Sequence, residues 1–180
     1  MEKQSTKTTN LSGLAVSKND ISIHLIGTAD ELNSHMGLIK AMLSNDDTWQ
    51  FSWKNACQFI EKIQKNLMKL MSHVSDNKNP KYFFNENDVN ELKKEIQKLL
   101  DYLPKQTKFS MPGKNIIEAN IQITRTVVRR TERLYAAACE EKALCPHAAE
   151  YLNKLSDYLY YLSQQESLIN VNFINQISGV

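Results

Sequence analysis

Residues 115–141 read NIIEANIQITRTVVRRTERLYAAACEE, and this stretch decides the fold. No glycine or proline interrupts it, so none of its residues breaks a helix. Its apolar face recurs at steps of three and four residues, which is the period of an α-helix. That face comprises Ile117, Ile121, Thr124, Val128, Thr131 and Tyr135. The stretch therefore predicts one long helix, the fourth in chain order.

Four further helices are predicted on either side of it. The first covers about residues 28–44, because Thr28 with Glu31 three residues later fits the capping-box pattern. The second runs from the polar break at 44–47 to about Val74. The others span about 86–103 and 147–171, with breaks at their proline residues. Five amphipathic helices joined by turns predict a single all-α domain over residues 1–180, built as an up-and-down bundle.

Composition narrows the classes of function. The chain has 180 residues and a net charge of only +2, which gives no support for a nucleic-acid partner. No apolar run approaches the roughly 20 residues of a membrane span, and no signal-peptide core is present, so a cytoplasmic protein is expected. Residues 1–20 are polar and aperiodic, which predicts a flexible or ligand-ordered arm. The three cysteines lack zinc-type or disulfide-type spacing.

Polar rows on three of the helices are the candidate functional features. On the fourth helix the row comprises Glu118, Gln122, Arg125, Arg129 and Glu132. The last helix carries Asn153, Asp157 and Tyr160, and the first carries Asp30, Glu31 and Asn33. Taken alone, each row is also explained by a solvated helix face, or by acidic residues near a helix N-terminus. The rows by themselves therefore leave the function open.

Four local motifs resemble one family. They are GTADELNS at residues 27–34, FSMPG at 109–113, RTVVRRTER at 125–133 and YLNKLSDYL at 151–159. In this order they are similar to the motifs of the PduO-type ATP:cob(I)alamin adenosyltransferases. The resemblance implies a ferritin-like five-helix bundle that forms a homotrimer with its sites between subunits. It also implies transfer of the 5′-deoxyadenosyl group of ATP to cobalamin, with Mg²⁺ accompanying the ATP and a cobalamin-dependent enzyme as a potential acceptor of the product.

The resemblance also implies roles for residues of the helices. Arg129, with Arg130 as its neighbour, would bind the phosphates of ATP, and Arg125 would pair with Asp30 near the subunit interface. Glu132 and Asn153 would bind ATP or its magnesium. Asp157 would lie on the cobalamin side of the site, and Phe109 would lie below the corrin ring. An apolar ring in that place excludes water and the displaced lower ligand of cobalt, which favours reduction to the +1 state.

The N-terminal arm departs from the family pattern. The family reads Thr-Lys-Thr-Gly-Asp-x-Gly there and wraps the ATP phosphates. Thr6, Lys7 and Thr8 are retained and Lys18 lies further along, but Thr9-Asn10 replaces Gly-Asp and Gly13 is the only glycine of the arm. Lys114 likewise replaces a second glycine after Pro-Gly. Two main hypotheses follow: a working adenosyltransferase, or a catalytically impaired relative that binds cobalamin or nucleotide as a carrier or regulatory protein. A purely structural bundle is a third reading.

Overall fold

The computed structural model describes residues 6–10, 12–45, 50–104 and 111–178, with side chains described outside 50–53 and 166–178. Five long helices dominate it. Their bounds are α1 Ile21–Ser44, α2 Gln50–Ser75, α3 Glu86–Tyr102, α4 Ile116–Glu141 and α5 Pro146–Ser178, with a short 3₁₀ turn at Pro80–Tyr82. Helix α1 packs against α2 and α4, α4 packs against α5, and α5 packs against α3. The prediction of an all-α protein with five helices is confirmed.

The core lies where the apolar stripes of these helices meet. Its fully buried side chains include Leu32 and Met36 of α1, Ile63 of α2, and Leu155 of α5. Burying a side chain of this size contributes about 1.5–3 kcal/mol, so the stripes supply most of the stabilisation that holds the helices together. The predicted face of α4 is buried as expected at all positions except Ile117, which is half-buried.

Helix α1 begins seven residues earlier than predicted. Asp20 is the N-cap, and its carboxylate accepts a hydrogen bond from the backbone N–H of Ser22 at 2.8 Å. Thr28 lies inside the helix and donates its hydroxyl hydrogen to the carbonyl of His24 at 2.9 Å, so the capping box at Thr28 was wrong. The earlier start buries Leu25 completely, and this gain explains why the helix extends.

The corrected start changes the meaning of the acidic residues of α1. Asp30 and Glu31 lie in the middle of the helix, whereas the helix dipole acts within the first turn. Their charge is therefore not explained by the helix N-terminus. At the other end of the chain, α5 begins at Pro146, a favoured first position, and continues to Ser178. The predicted bundle limits of 28–171 were thus too narrow at both ends.

The N-terminal arm contains a small hairpin that its sequence did not predict. Strands β1 (Lys7–Thr9) and β2 (Ala15–Ser17) pair antiparallel, with Thr8 opposite Val16. Asn10 organises the turn, because its side-chain oxygen accepts hydrogen bonds from the N–H groups of Ser12 and Leu14 at 3.0 and 2.8 Å. Gly13 supplies the positive φ of +79° that the turn requires.

Cys57, Cys139 and Cys145 are all free thiols. Within the described ranges no helix combines the length and the apolar character needed to cross a bilayer.

Candidate active site

Glu132 and Asn153 are in direct contact. The amide nitrogen of Asn153, on α5, donates a hydrogen bond to the carboxylate of Glu132, on α4, at 3.0 Å. Asn153 is exposed and Glu132 is half-buried, so the pair remains accessible from solvent. The arginine-rich motif and the YLNKLSDYL motif are therefore brought together at one place on the bundle surface.

Two arginines of α4 lie near its surface, where Arg130 contacts α1 and Arg129 is exposed to solvent. Arg130 forms an ion pair with Glu31, and this contact links the arginine-rich helix to the GTADELNS motif. Both partners are about half exposed, so the pair contributes little to folding stability. Arg129 is exposed, and in the described part of the chain it makes no ion pair. Its guanidinium group is available to an anionic ligand.

Arg125 is held by a buried polar chain. Its Nε donates to the side-chain oxygen of Gln122 at 2.9 Å, and the amide nitrogen of Gln122 donates to the hydroxyl of Ser163 at 2.8 Å. Gln122 and Ser163 are both buried. Asp30 forms no ion pair with Arg125 among the described residues of this chain. The resemblance placed that pair near a subunit interface, so between two copies it stays a prediction.

Asp157 is engaged by its own helix. Lys154 Nζ lies 2.8 Å from the Asp157 carboxylate, and this hydrogen bond raises the pKa of Lys154, with the charge of Asp157 acting in the same direction. Both side chains are partly exposed. Asp157 is therefore an ion-paired carboxylate near the surface, one turn of α5 beyond Asn153.

The hairpin docks at the end of the bundle where α1 begins. The hydroxyl of Ser12 lies 3.1 Å from that of Ser75 at the end of α2, and Lys142 contacts both Asp20 and Ser22. The backbone hydrogen bond from Ser22 lowers the pKa of Asp20, and the nearby Lys142 adds to this effect. Ser12 thus holds the hairpin turn at the end of α2, while Lys142 links the end of α4 to the start of α1.

The four predicted residues of the arm lie on the hairpin or beside it. Thr6, Lys7 and Lys18 are exposed and Thr8 is half-buried, while the backbone N–H of Lys18 donates to the carbonyl of Thr6 at 3.0 Å. Lys142, which contacts the start of α1, follows Glu132 by ten residues, or about 15 Å along a helix. Phe109 lies outside the described residues, and its predicted role stays a prediction.

Glu118 is buried, which its place in a polar row did not predict. Its carboxylate is completely buried at the start of α4 and accepts hydrogen bonds from two backbone N–H groups of the preceding turn. Ser163 and Gln164 of α5 are also buried polar residues, and they lie beyond the YLNKLSDYL motif. No local pattern indicated the burial of Ser163. No local pattern indicated that Glu118 is buried.

These features define the class of the protein: a five-helix all-α protein in which an arginine-rich helix lies between two helices that carry acidic and amide side chains. Residues 2–166 match the sequence model of the family described as Cobalamin adenosyltransferase. The chain therefore belongs to the cobalamin adenosyltransferase family.

Individual relatives agree with this assignment. The chain is 31% identical over 158 residues to a corrinoid adenosyltransferase of Citrobacter freundii, covering 86% of this chain and 85% of that protein. It is 33% identical over 153 residues to a cobalamin adenosyltransferase of Cupriavidus metallidurans, covering 84% and 78%. Its fold matches a variant of the PduO-type ATP:corrinoid adenosyltransferase from Lactobacillus reuteri, complexed with cobalamin and ATP. That match has a TM-score of 0.80 at 23% identity and covers 92% of this chain and 90% of the other.

Proposed function

We propose that this chain transfers the 5′-deoxyadenosyl group of ATP to cob(I)alamin, giving adenosylcobalamin and triphosphate. Membership of the cobalamin adenosyltransferase family is the observation that carries the proposal. In this reaction the reduced cobalt attacks C5′ of ATP, a cobalt–carbon bond forms, and the C5′–O bond breaks. The bonding electrons leave with the triphosphate. The protein must therefore hold the two substrates together and stabilise a strongly anionic leaving group.

Arg129 is our candidate for stabilising the triphosphate. A guanidinium group is always charged and can donate two parallel hydrogen bonds to a phosphate. The exposed position of Arg129 supports this role, since its donors are not taken up by an ion pair in the described chain. Arg130 would act beside it, and its ion pair with Glu31 would set its direction.

Glu132 and Asn153 are our candidates for the nucleotide and its metal. Mg²⁺ in nucleotide sites is commonly held by one or two carboxylates together with the phosphates themselves. The described residues hold no cluster of three or more metal-ligating side chains, whereas Glu132 is one accessible carboxylate with an amide partner. This donor set fits a Mg²⁺ ion that arrives with ATP. Asp157 would lie on the cobalamin side of the same corner.

On the corrinoid side we assign Phe109 to the face below the ring. The support is its place in the FSMPG motif, three residues before Pro112. Thr6, Lys7, Thr8 and Lys18 are assigned to the phosphates through the hairpin. We further propose an up-and-down bundle that forms a cytoplasmic homotrimer, with Arg125 and Asp30 pairing near the subunit interface, and an acceptor enzyme that takes the product.

The hairpin also gives the second candidate function its support. Asn10 uses two backbone N–H groups of the turn, those of Ser12 and Leu14, which a phosphate-wrapping loop would leave for its ligand. A carrier or regulatory protein that binds cobalamin or nucleotide without turnover would fit such a self-satisfied turn.

One assay separates the two candidates. The pure protein is mixed with ATP, Mg²⁺ and chemically reduced cobalamin, and the loss of cob(I)alamin absorbance is followed together with triphosphate release. We expect one mole of triphosphate to be released for each mole of cob(I)alamin that is lost. If equilibrium dialysis shows that either substrate binds but no turnover occurs at saturating ATP, the carrier or regulatory function is supported and the enzymatic function is refuted.

A further inference from the structure

A chain of polar groups crosses the contact between α4 and α5. It begins at the guanidinium group of Arg125, whose Nε donates to the side-chain oxygen of Gln122 at 2.9 Å. The amide nitrogen of Gln122 donates to the hydroxyl of Ser163 at 2.8 Å, and that hydroxyl donates to the backbone carbonyl of Tyr160 at 2.7 Å. Gln122 is only 7% exposed and Ser163 is completely buried. The middle of the chain is therefore closed to water.

Both ends of this polar chain fix its direction. A backbone carbonyl can only accept, so the hydroxyl hydrogen of Ser163 is used at Tyr160 and its oxygen accepts from Gln122. At the other end an arginine Nε can only donate, so Arg125 requires the oxygen of the Gln122 amide and not its nitrogen. The two requirements select the same orientation of the amide. The amide of Gln122 therefore cannot turn over without losing the hydrogen bond to Arg125.

The polar chain sets the plane of the Arg125 guanidinium group. That group is planar and rigid and has five N–H donors, so a bond at Nε leaves the four donors of the two terminal nitrogens. Among the described residues those nitrogens have no acceptor of their own. Arg125 is half-buried, and a positive charge in such a place is costly when its partner is only a neutral amide. Its counter-charge therefore lies outside the described contacts of this chain, which agrees with the pairing to Asp30 that we assign near the subunit interface.

We propose that Gln122 and Ser163 are positioning residues for Arg125. Ser163 orients the amide of Gln122, and this amide holds Nε of Arg125 so that the terminal donors are presented to the carboxylate of Asp30. Gln122 and Ser163 are buried, so they act only through Arg125. The inference rests on the proposed function, because Arg125 and Asp30 belong to the site that is assigned there.

Two variants break the polar chain at different links. Gln122→Met keeps the length of the side chain but removes the acceptor for Arg125. Ser163→Ala removes only the acceptor for Gln122, so the hydrogen bond to Arg125 remains with an amide that is less firmly oriented. The control is Thr124→Val, which removes another buried hydroxyl of α4, one that donates to the carbonyl of Asn120 within the same helix at 2.7 Å. It tests the loss of a buried polar group that does not contact Arg125.

Kinetics measure the effect on the reaction. We expect kcat/KM for corrinoid at saturating ATP to fall about tenfold in Gln122→Met and about threefold in Ser163→Ala, because hydrogen bonds to charged groups are among the stronger ones. Thr124→Val should keep the wild-type value at a comparable loss of thermal stability. Arg125→Lys keeps the charge but has no Nε–H donor. Adding Gln122→Met to Arg125→Lys should lower kcat/KM by less than about twofold, since Gln122 acts through Arg125.

The NMR signal of the Arg125 Nε–H supplies a readout that does not require turnover. The signal is assigned by its absence from the spectrum of Arg125→Lys. A hydrogen-bonded N–H exchanges slowly with water, so exchange of this proton reports directly on the link to Gln122. We expect exchange to be much faster in Gln122→Met, moderately faster in Ser163→Ala, and the same as in the wild type in Thr124→Val.

Slow exchange at Arg125 in Gln122→Met would overturn the positioning role. So would equal losses of kcat/KM in Gln122→Met and Thr124→Val, because the effect would then belong to any buried polar group of α4. A tenfold loss that recurs in the Arg125→Lys background would show that Gln122 acts independently of Arg125, and this also contradicts the proposal. A wild-type protein that binds ATP and cobalamin without turnover would instead remove the proposed function, and the Nε–H signal would still show whether Gln122 holds Arg125.

Discussion

The side-chain amide of Asn153 donates a hydrogen bond to the carboxylate of Glu132 at 3.0 Å, across the contact between α5 and α4. Asparagine is a poor helix former, and an exposed one inside a helix costs several tenths of a kcal/mol relative to alanine. The hydrogen bond to Glu132 on the adjacent helix explains why Asn153 stands at this position, which exposure to solvent alone does not explain. The contact fixes both side chains at the corner that we assign to ATP and its metal.

Replacing either partner should therefore weaken ATP binding. We expect Asn153→Ala to raise KM for ATP about tenfold with a small change in thermal stability, since the side chain is exposed. Glu132→Gln should have a similar effect, and the double variant should lose less than the sum because the two act together. Steady-state kinetics with varied ATP measures this. Asn55→Ala, an exposed asparagine on α2, serves as the control, and strict additivity would contradict the coupling.

Arg129 should act on the chemical step more than on binding. Removing a charged donor to a leaving group typically costs about 10²–10³ in kcat, so Arg129→Ala should fall in that range, and Arg129→Lys should recover only part of it. Single-turnover measurement of cob(I)alamin loss isolates the step. Lys94→Ala removes an exposed positive charge from α3 and should leave the rate unchanged. A rate in Arg129→Ala close to wild type would refute the assignment.

The interior of α4 could be predicted from the sequence because its apolar period has no competing signal. The start of α1 could not, because Thr28 with Glu31 fits a capping box as well as any true N-terminus does. The helix begins at Ile21 and not at Thr28 because the earlier start buries Leu25, and that burial depends on the neighbouring helices. The hairpin of the N-terminal arm was missed for another reason. Its strands have three residues each, which is too short for any period to appear.

The candidate site divides in the same way. The motifs identified Glu132 and Asn153 separately, but only the packing register of α4 on α5 brings them within hydrogen-bond distance. Glu118 was recognised as a member of a polar row, whereas its burial depends on backbone N–H groups of a turn that the sequence marks only by Pro112 and Gly113. A buried charge cannot be told from an exposed one by helical spacing, since its partners belong to other segments.

His73 should make stability depend on pH. It is buried in α2, and its Nε2 accepts a hydrogen bond from the backbone N–H of Cys145 at 3.0 Å. Burial lowers the pKa of His73 below its ordinary 6.5, and the charge of Lys69 adds to this. The folded state thus binds this proton less readily than the unfolded state. The stabilising effect is complete above pH 6.5 and is lost as the pH falls below it.

Urea unfolding at pH 7.5 and at pH 5.5 measures this dependence. We expect the wild type to lose more stability between the two values than His73→Gln, whose side chain can still accept from Cys145 but does not titrate. His35→Gln, at a half-buried position of α1, is the control and should follow the wild type. Parallel curves for the wild type and His73→Gln would show that His73 carries no part of the effect.

Substitution of Asn10 tests whether the altered N-terminal arm still binds ATP. Its side chain accepts from both Ser12 and Leu14, so Asn10→Ala should loosen the turn of the hairpin, whereas Asn10→Asp retains an acceptor of the same length. If the hairpin holds triphosphate, Asn10→Ala should raise KM for ATP about tenfold with kcat nearly unchanged, because uniform binding is lost. Asn10→Asp should stay near wild type, as should Asn19→Ala in the exposed segment after β2. Neither Asn10 nor Asn19 belongs to the bundle core, so the thermal unfolding midpoint should change little in all three variants. An unchanged KM in Asn10→Ala would remove the hairpin from the ATP site and leave the phosphates to the arginines of α4.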